Sequence, residues 1–256
     1  MPAVCCDCKV LDQHLVNDEI SLLRVEWPSA DHAPHAGQFM MLRCWDAYTA
    51  PFLSRPISVH CWDEATGTVE FLYQIKGAGT QKLAALKAGD TLQVVGSLGN
   101  GFDVADLAAR YQKIALVGGG IGAAPLYQLA RELNAAGVTC DAFFGFRDEP
   151  YCMEEFRAVT RQVYVATDTG RHGFHGFVTQ IVHPEQYDCV LVCGPEVMMR
   201  AVAGLCRQSG TPCLVSMERK MACGIGACLG CTCHTPKGEA LGVCKSGPVF
   251  DAEVIF

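Results

Sequence analysis

Long apolar runs, surplus positive charge and repetition are all scarce in this chain of 256 residues. The longest apolar stretch starts at Ile114 and is broken by Gly118, Gly119, Gly120, Gly122 and Pro125. It falls short of the roughly 20 apolar residues a membrane-spanning helix needs. Lysine and arginine number 20 against 27 acids, a formal net charge of −7, which disfavours nucleic acid as a partner. A local phosphate site survives that balance, because backbone N–H groups and one or two cations can hold the anion. The first residues lack a basic segment followed by an apolar run. Asp7 and Asp12 stand where a secretory leader would be greasy, so a cytoplasmic protein is expected. The length suits two domains and a small appendix.

Cysteine is abundant, with 16 residues. In a chain of this length without an export signal the thiols are expected to stay reduced, so clustered ones point to metal and scattered ones behave as small hydrophobes. The string Cys223-x4-Cys228-x2-Cys231, with Cys244 twelve intervening residues on, has the spacing of a plant-type 2Fe–2S site. Gly224, Gly226 and Gly230 suit a loop that turns tightly and aims its N–H groups at sulfur. Four thiolates also suit a structural zinc ion; the spacing and the glycines favour iron–sulfur. The gap to Cys244 is shorter than in plant ferredoxins, so a variant of that pattern is expected. Cys233 breaks the ligand spacing and reads as a non-ligand. Cys5, Cys6 and Cys8 lack a fourth ligand nearby and read as ordinary thiols at a strand start.

Hydrophobic patterning divides the chain into three segments, expected at residues 1–106, 107–216 and 217–256. The first is all-β: Ile20–Trp27, Phe39–Trp45, Ile57–Trp62, Val69–Ile75 and Thr91–Val95 alternate with turns at Ala36-Gly37, Thr66-Gly67 and Gly89-Asp90. The second alternates strands and helices. Strands are expected at Ile114–Val117, Val138–Phe146, Val163–Thr167, Val190–Cys193 and Leu214–Met217. Leu126, Leu129, Ala130 and Leu133 line one face of a helix capped by Gly137, and a second helix is expected over Glu196–Gln208. That order implies a parallel sheet. The third segment carries the cysteine string and a tail, Pro248–Phe256, expected as a closing strand, and is too short for a core of its own.

Two further motifs suit anions. Arg55-Pro56-Ile57-Ser58 opens a strand, and Gly77-Ala78-Gly79-Thr80 follows about 20 residues later. A guanidinium fork suits a pyrophosphate, with Gly79 and Thr80 adding N–H and hydroxyl groups; the plain alternative is a turn leading into a strand. Val117-Gly-Gly-Gly-Ile-Gly-Ala-Ala-Pro125 lies between a strand and a helix, where dinucleotide phosphates meet a helix N-terminus. Ala123 breaks the strict G-x-G-x-x-G, and tight turns without ligand remain the alternative. Cys193-Gly194-Pro195-Glu196 ends a later strand. Arg147 would favour a 2′-phosphate, whereas Asp148 and Glu149 would disfavour it, so the residues leave NAD or NADP open.

Together these motifs resemble the ferredoxin–NADP reductase superfamily over essentially the whole chain. Gly37-Gln38-Phe39-Met40 and Leu98-Gly99-Asn100-Gly101-Phe102 look like its barrel and domain-junction motifs. The strings Met221–Cys231 and Val243–Phe250 are similar to those of the electron-transfer subunits of dihydroorotate dehydrogenase B. The resemblance implies an N-terminal flavin-binding antiparallel β-barrel, a Rossmann-like parallel-sheet NAD domain and a small C-terminal 2Fe–2S domain. By motif matching, FAD would contact Arg55, Pro56, Ile57, Ser58, Leu72, Tyr73, Gln74, Gly79 and Thr80, with Ser58 near the reactive edge. Pro56 stands where the superfamily often stacks an aromatic ring, which makes Tyr73 a candidate for that stacking. Gly118, Gly119, Gly120 and Gly122 would approach NAD+ or NADH, the substrate, and Cys193 would sit near the hydride path. Cys223, Cys228, Cys231 and Cys244 would hold the cluster. The implied partner is an FMN-containing dihydroorotate dehydrogenase catalytic subunit, in a heterotetramer of two plus two, with electrons passing from FMN through the cluster and FAD to NAD+ in pyrimidine biosynthesis. The same resemblance favours NAD. Related subunits of sulfhydrogenases, sulfite reductases and ferredoxin-linked enzymes are one alternative; a non-catalytic, metal-binding redox sensor is another.

Overall fold

The computed structural model describes residues 3–46 and 48–256; residues 1, 2 and 47, inside the expected flavin segment, lie outside them. Seven strands build the first sheet: β1 Val4–Leu15, β2 Ile20–Glu26, β3 Phe39–Arg43, β4 Arg55–Ser58, β5 Cys61–Asp63, β6 Thr68–Gln74 and β7 Thr91–Leu98. All its pairings are antiparallel, in the order β4-β3-β7-β1-β2-β6-β5. Inward residues such as Leu23, Val25, Met40, Leu42, Val69, Phe71 and Val94 are wholly buried and form its core. Gly37, Gly67 and Gly89 sit at the expected turns with φ of +83°, +65° and +94°, a region that costs glycine little. The first helix, α1 Ala78–Ala84, follows β6.

After the short helix α2 Val104–Arg110 comes the parallel sheet: β8 Lys113–Gly119, β9 Thr139–Phe146, β10 Gln162–Thr167, β11 Phe174–His175, β12 Cys189–Cys193 and β13 Cys213–Ser216. Three helices cover it: α3 Ala124–Ala135, α4 Met153–Val159 and α5 Glu196–Ser209. The predicted face of α3 is buried through Leu126, Leu129, Ala130 and Leu133, and Gly137 follows its C-cap at φ +81°. Chain order β10-β9-β8-β12-β13 places a topological switch between β8 and β12, the usual ligand crevice of such sheets.

The last segment holds the hairpin β14 Thr232–His234 and β15 Ala240–Gly242, helix α6 Val243–Ser246, strand β16 Val249–Asp251 and helix α7 Ala252–Ile255. The tail expected as one strand over Pro248–Phe256 is thus a short strand and a helical turn. β16 pairs antiparallel with β13, so the tail closes the parallel sheet. That answers the shortage of core in the third segment: its apolar residues Cys233, Val243, Phe250 and Ile255 join the nucleotide sheet's core. Among the described residues no helix is long and apolar enough to cross a membrane.

Candidate functional site

The cysteine loop lies over the barrel wall. A Cβ on Gly224 would stand 2.8 Å from Met41 Cγ, and one on Gly226 would stand 2.9 Å from Lys245 Cδ. Both glycines have positive φ, +72° and +82°, so bare backbone is needed twice over. Each of the four expected ligand sulfurs accepts a backbone N–H: Gly226 donates to Cys244 (3.1 Å), Cys244 to Cys231 (3.3 Å), Cys228 to Cys223 (3.4 Å) and Gly230 to Cys228 (3.4 Å). The thiols sit as two neighbouring pairs, Cys223 with Cys228 and Cys231 with Cys244. Among the described residues no three metal-binding side chains converge as a single ion would require. Two pairs with N–H groups aimed at sulfur fit a two-iron cluster, which spans its ligands and is tuned by such bonds. Burial pushes the Cys223 thiol up, but the N–H groups of Ile225 and Cys228, the Cys228 thiol and the Ala227 N–H outweigh it and bring the pKa down to about 6, toward the thiolate a metal needs. Burial and the neighbouring Cys231 hold Cys244 up at about 11.

Cys231 and Cys244 are buried, whereas Cys228 is exposed. Cys233 is buried in β14 with its thiol toward the Leu241 carbonyl, a core residue. Cys5 and Cys6 are successive residues of β1, so their side chains leave opposite faces, while Cys8 is buried in the barrel. Asn100 ties the cluster segment to the barrel: its N–H donates to the Gly247 carbonyl (2.6 Å), and its side-chain amide to Lys245 (3.1 Å) and Ser246 (3.3 Å). Gln38 reaches the Gly99 carbonyl at 2.7 Å. The two junction motifs therefore meet beside the helix that carries Cys244.

On β4 all four residues, Arg55, Pro56, Ile57 and Ser58, are half-buried, a strand with no fully covered side. The Arg55 guanidinium lies across Gly79, where any Cβ would collide with it, and donates to the Leu53 carbonyl at 2.6 Å. Bare backbone at Gly79 thus makes room for a cation, a cradle suited to a pyrophosphate. Thr80 is engaged locally: its hydroxyl accepts N–H bonds from Lys76 (2.9 Å) and Gly77 (3.1 Å), organising the first turn of α1. Leu72 and Tyr73 point to opposite sides of β6. Leu72 packs outward on Ile20 and Ala124 beside Ile121, while Tyr73 fills the barrel core at 2% exposure. Its ring is enclosed there, which removes it as a stacking partner. Gln74 stays half-buried and donates to Glu19.

The glycine loop closes on the end of β12. Gly118 and Gly119 end β8 against Phe144 and Met198; Gly120 turns at φ +53°; a Cβ on Gly122 would collide with the Cys193 carbonyl. Cys193 is 1% exposed, and burial followed by the charge of Glu218 drives its thiol pKa well up. It is a covered, neutral thiol that shapes the crevice. Sequence patterning gave no signal for His60. Its Nδ1–H donates to the Ala124 carbonyl at 2.8 Å, its own carbonyl accepts from Gln128, and its ring stacks on Tyr127. This clamp joins the strand after Ser58 to the helix after the glycine loop.

Comparisons with known proteins find the three domain types in the same order along the chain. Residues 218–256 match the iron–sulfur cluster binding domain of dihydroorotate dehydrogenase B, 116–204 an oxidoreductase NAD-binding domain and 7–102 an oxidoreductase FAD-binding domain. The dihydroorotate dehydrogenase B (NAD(+)) electron transfer subunit of Clostridium acetobutylicum is 42% identical over 94% of this chain and 93% of its own. Its counterpart from Clostridium perfringens is 44% identical over 85% of each. The solved structure of an NADH-dependent reduced ferredoxin–NADP oxidoreductase superposes with a TM-score of 0.85 at 27% identity, covering 97% of this chain and 89% of that one. By identity, coverage and the order of its three sites, this chain belongs to the family of dihydroorotate dehydrogenase B electron transfer subunits.

Proposed function

We infer that this chain is the electron-transfer subunit of an NAD-linked dihydroorotate dehydrogenase serving UMP synthesis, working in the cytoplasm with an FMN-containing catalytic subunit in a two-plus-two heterotetramer. The observation that carries the reading is a loop of two thiol pairs with backbone N–H groups on every sulfur, joined to a flavin-type barrel and a nucleotide sheet, in a chain of this family. The segments 1–106, 107–216 and 217–256 serve flavin, nucleotide and cluster in that order. When bound, FAD exchanges either one or two electrons, and so links one-electron transfer at a 2Fe–2S centre to hydride exchange with NAD+.

The residues supply binding and orientation. Arg55 over Gly79 meets the flavin's pyrophosphate. Pro56, Ile57 and Ser58 line the face left half-open on β4, with Leu72, Tyr73 and Gln74 forming the adjoining strand and Thr80 holding the turn that presents Gly79. Gly118, Gly119, Gly120 and Gly122 let a nucleotide approach the backbone at the β8–β12 crevice, and Cys193 keeps that floor dry. Cys223, Cys228, Cys231 and Cys244 hold the cluster, and exposed Cys228 marks the side facing the partner.

The test is NADH formation from dihydroorotate and NAD+ by this chain reconstituted with the FMN-containing subunit of the same source. Activity that needs both chains supports the reading. A chain loaded with FAD and cluster yet inactive with that partner sends the assignment to another oxidoreductase system.

A further inference from the structure

We propose that Gln128 is a positioning residue for hydride exchange between nicotinamide and flavin: it pins α3 to the open edge of the barrel sheet and so fixes the glycine loop against the strand that carries Ser58. The inference rests on the reading of residues 7–102 and 116–204 as the flavin and nucleotide domains. β5 is the last strand of its sheet, so its outer backbone groups have no strand to pair with. Helix α3 supplies the missing partners. The Trp62 N–H donates to Gln128 Oε1 at 2.9 Å, and the Trp62 carbonyl accepts from Arg131 Nη1 at 3.0 Å. Arg131 also reaches the Cys61 thiol. One turn of α3 is engaged at both ends by His60, whose carbonyl accepts the Gln128 N–H at 3.1 Å while its ring donates to the Ala124 carbonyl at 2.8 Å. Among the described residues, every hydrogen bond between residues 1–103 and residues 113–216 belongs to this strap.

Gln128 is the centre of the strap and is only 5% exposed. Its Nε2 donates to Glu132 Oε1 at 2.7 Å, one turn on, which turns Oε1 toward Trp62. A buried amide bonded at both ends is held in a single orientation. The strap is close to both sites along the chain. His60 follows Ser58 by two residues, and Ala124 follows Gly122 by two. Leu72 of β6 packs on Ala124 as well. The flavin strand and the nucleotide loop therefore meet at one joint. Hydride exchange needs its reacting atoms within about 3–3.5 Å, and a misplacement of about 1 Å costs about a hundredfold in rate. A tie that sets how the two domains face each other acts on that distance without touching either cofactor.

The test uses the flavin- and cluster-loaded chain and Gln128→Met, which keeps the length of the side chain and removes its amide. Arg131→Met, which cuts the second bond to Trp62, is its companion. Anaerobic stopped-flow mixing with NADH reads the rate of flavin bleaching and the long-wavelength charge-transfer absorbance of nicotinamide on flavin. Calorimetry with AMP reads the nucleotide site, and melting curves read stability. Gln128→Met should slow bleaching at saturating NADH about tenfold or more and weaken the charge-transfer absorbance, while AMP affinity stays within about twofold. Arg131→Met should move rate and absorbance in the same direction. A Gln128→Met chain with a lower melting temperature but unchanged rate and absorbance overturns the proposal, since a merely structural tie behaves that way; so does a fall in AMP affinity as large as the fall in rate. If Gln128→Met does not fold, Arg131→Met decides: a slower rate with weaker absorbance supports the proposal, and unchanged values overturn it. A wild-type chain that binds AMP but is not bleached by NADH overturns the proposal and leaves the nucleotide site standing; one that binds no AMP sinks the nucleotide-site assignment and the proposal together.

Discussion

At the scale of single residues, the strongest expectations concern groups whose chemistry leaves few substitutes. Cys228→Ser replaces a soft thiolate with a hydroxyl, and should remove the 2Fe–2S absorption and paramagnetic signals and the dihydroorotate-coupled activity. A variant with both intact would show that Cys228 is not a ligand. Gly79→Val should push the Arg55 guanidinium off its cradle, since any Cβ there collides with it. The expected loss is one charge-assisted contact, about 1.5–3 kcal/mol, or about tenfold or more in the FAD dissociation constant. Titrating the apo chain with FAD would measure it; an unchanged constant would remove Arg55 from the pyrophosphate site. Spacing alone singled out the four cysteines whose sulfurs the fold supplies with backbone N–H donors, because ligand geometry imposes spacing. Tyr73 shows the opposite case: its type suggested stacking on the flavin, but strand alternation turned the ring into the barrel.

At the scale of elements, strong periodicity was legible and short or polar elements were not. The helix face of α3 and the barrel strands from Ile20 to Leu98 follow their hydrophobic patterns. β1, the 12-residue strand Val4–Leu15, escaped notice beyond its start, because Cys, Asp, Lys and Gln alternate along it with few large apolar groups. α1, α2 and α4 have 7 residues each, too few for a helical period to stand out. The clamp between His60 and α3 gives this scale its prediction. Burial lowers the His60 pKa below its ordinary 6.5, outweighing the pull of the Ala124 carbonyl and of Glu70 and Glu155, while Arg131 lowers it further. The native ring is therefore neutral, with Nδ1–H on Ala124. Its contribution to stability is complete above about pH 6.5 and is lost as pH falls through the depressed folded-state value. Melting temperatures should drop from pH 7 to 5 in the wild-type chain and drop less in His60→Gln. Asp141 and Glu196, whose pKa values are lowered from 3.8 and 4.5, lose their contributions only at more acid pH. Equal slopes in the two proteins would show that His60 is not the group responsible.

At the scale of the whole molecule, the cluster segment is attached rather than free-standing. Its tail strand β16 belongs to the parallel sheet, and Asn100 fastens α6 to the end of the barrel. Oxidative removal of iron should therefore loosen the loops around residues 222–247 while the two sheets, each with its own buried core, persist. Hydrogen exchange should show fast amides in the cysteine loop and slow ones in β8, β9 and β12; global loss of protection would mean that the cluster supports the whole fold. Coupled activity belongs to this scale too, since it needs a second chain.

The sequence by itself determined the sheet types, the four cysteines and the two glycine loops, because each rests on a local rule: side-chain period, ligand spacing, or room for backbone beside an anion. Tertiary structure alone decided which groups meet across the chain. It set Arg55 over Gly79, His60 on Ala124, Arg171 on Asp148 and β16 beside β13. The first three of these pairings depend on side chains brought together by turns and the fourth on strand pairing, and their partners lie 23 residues or more apart in the chain, beyond the reach of any local pattern.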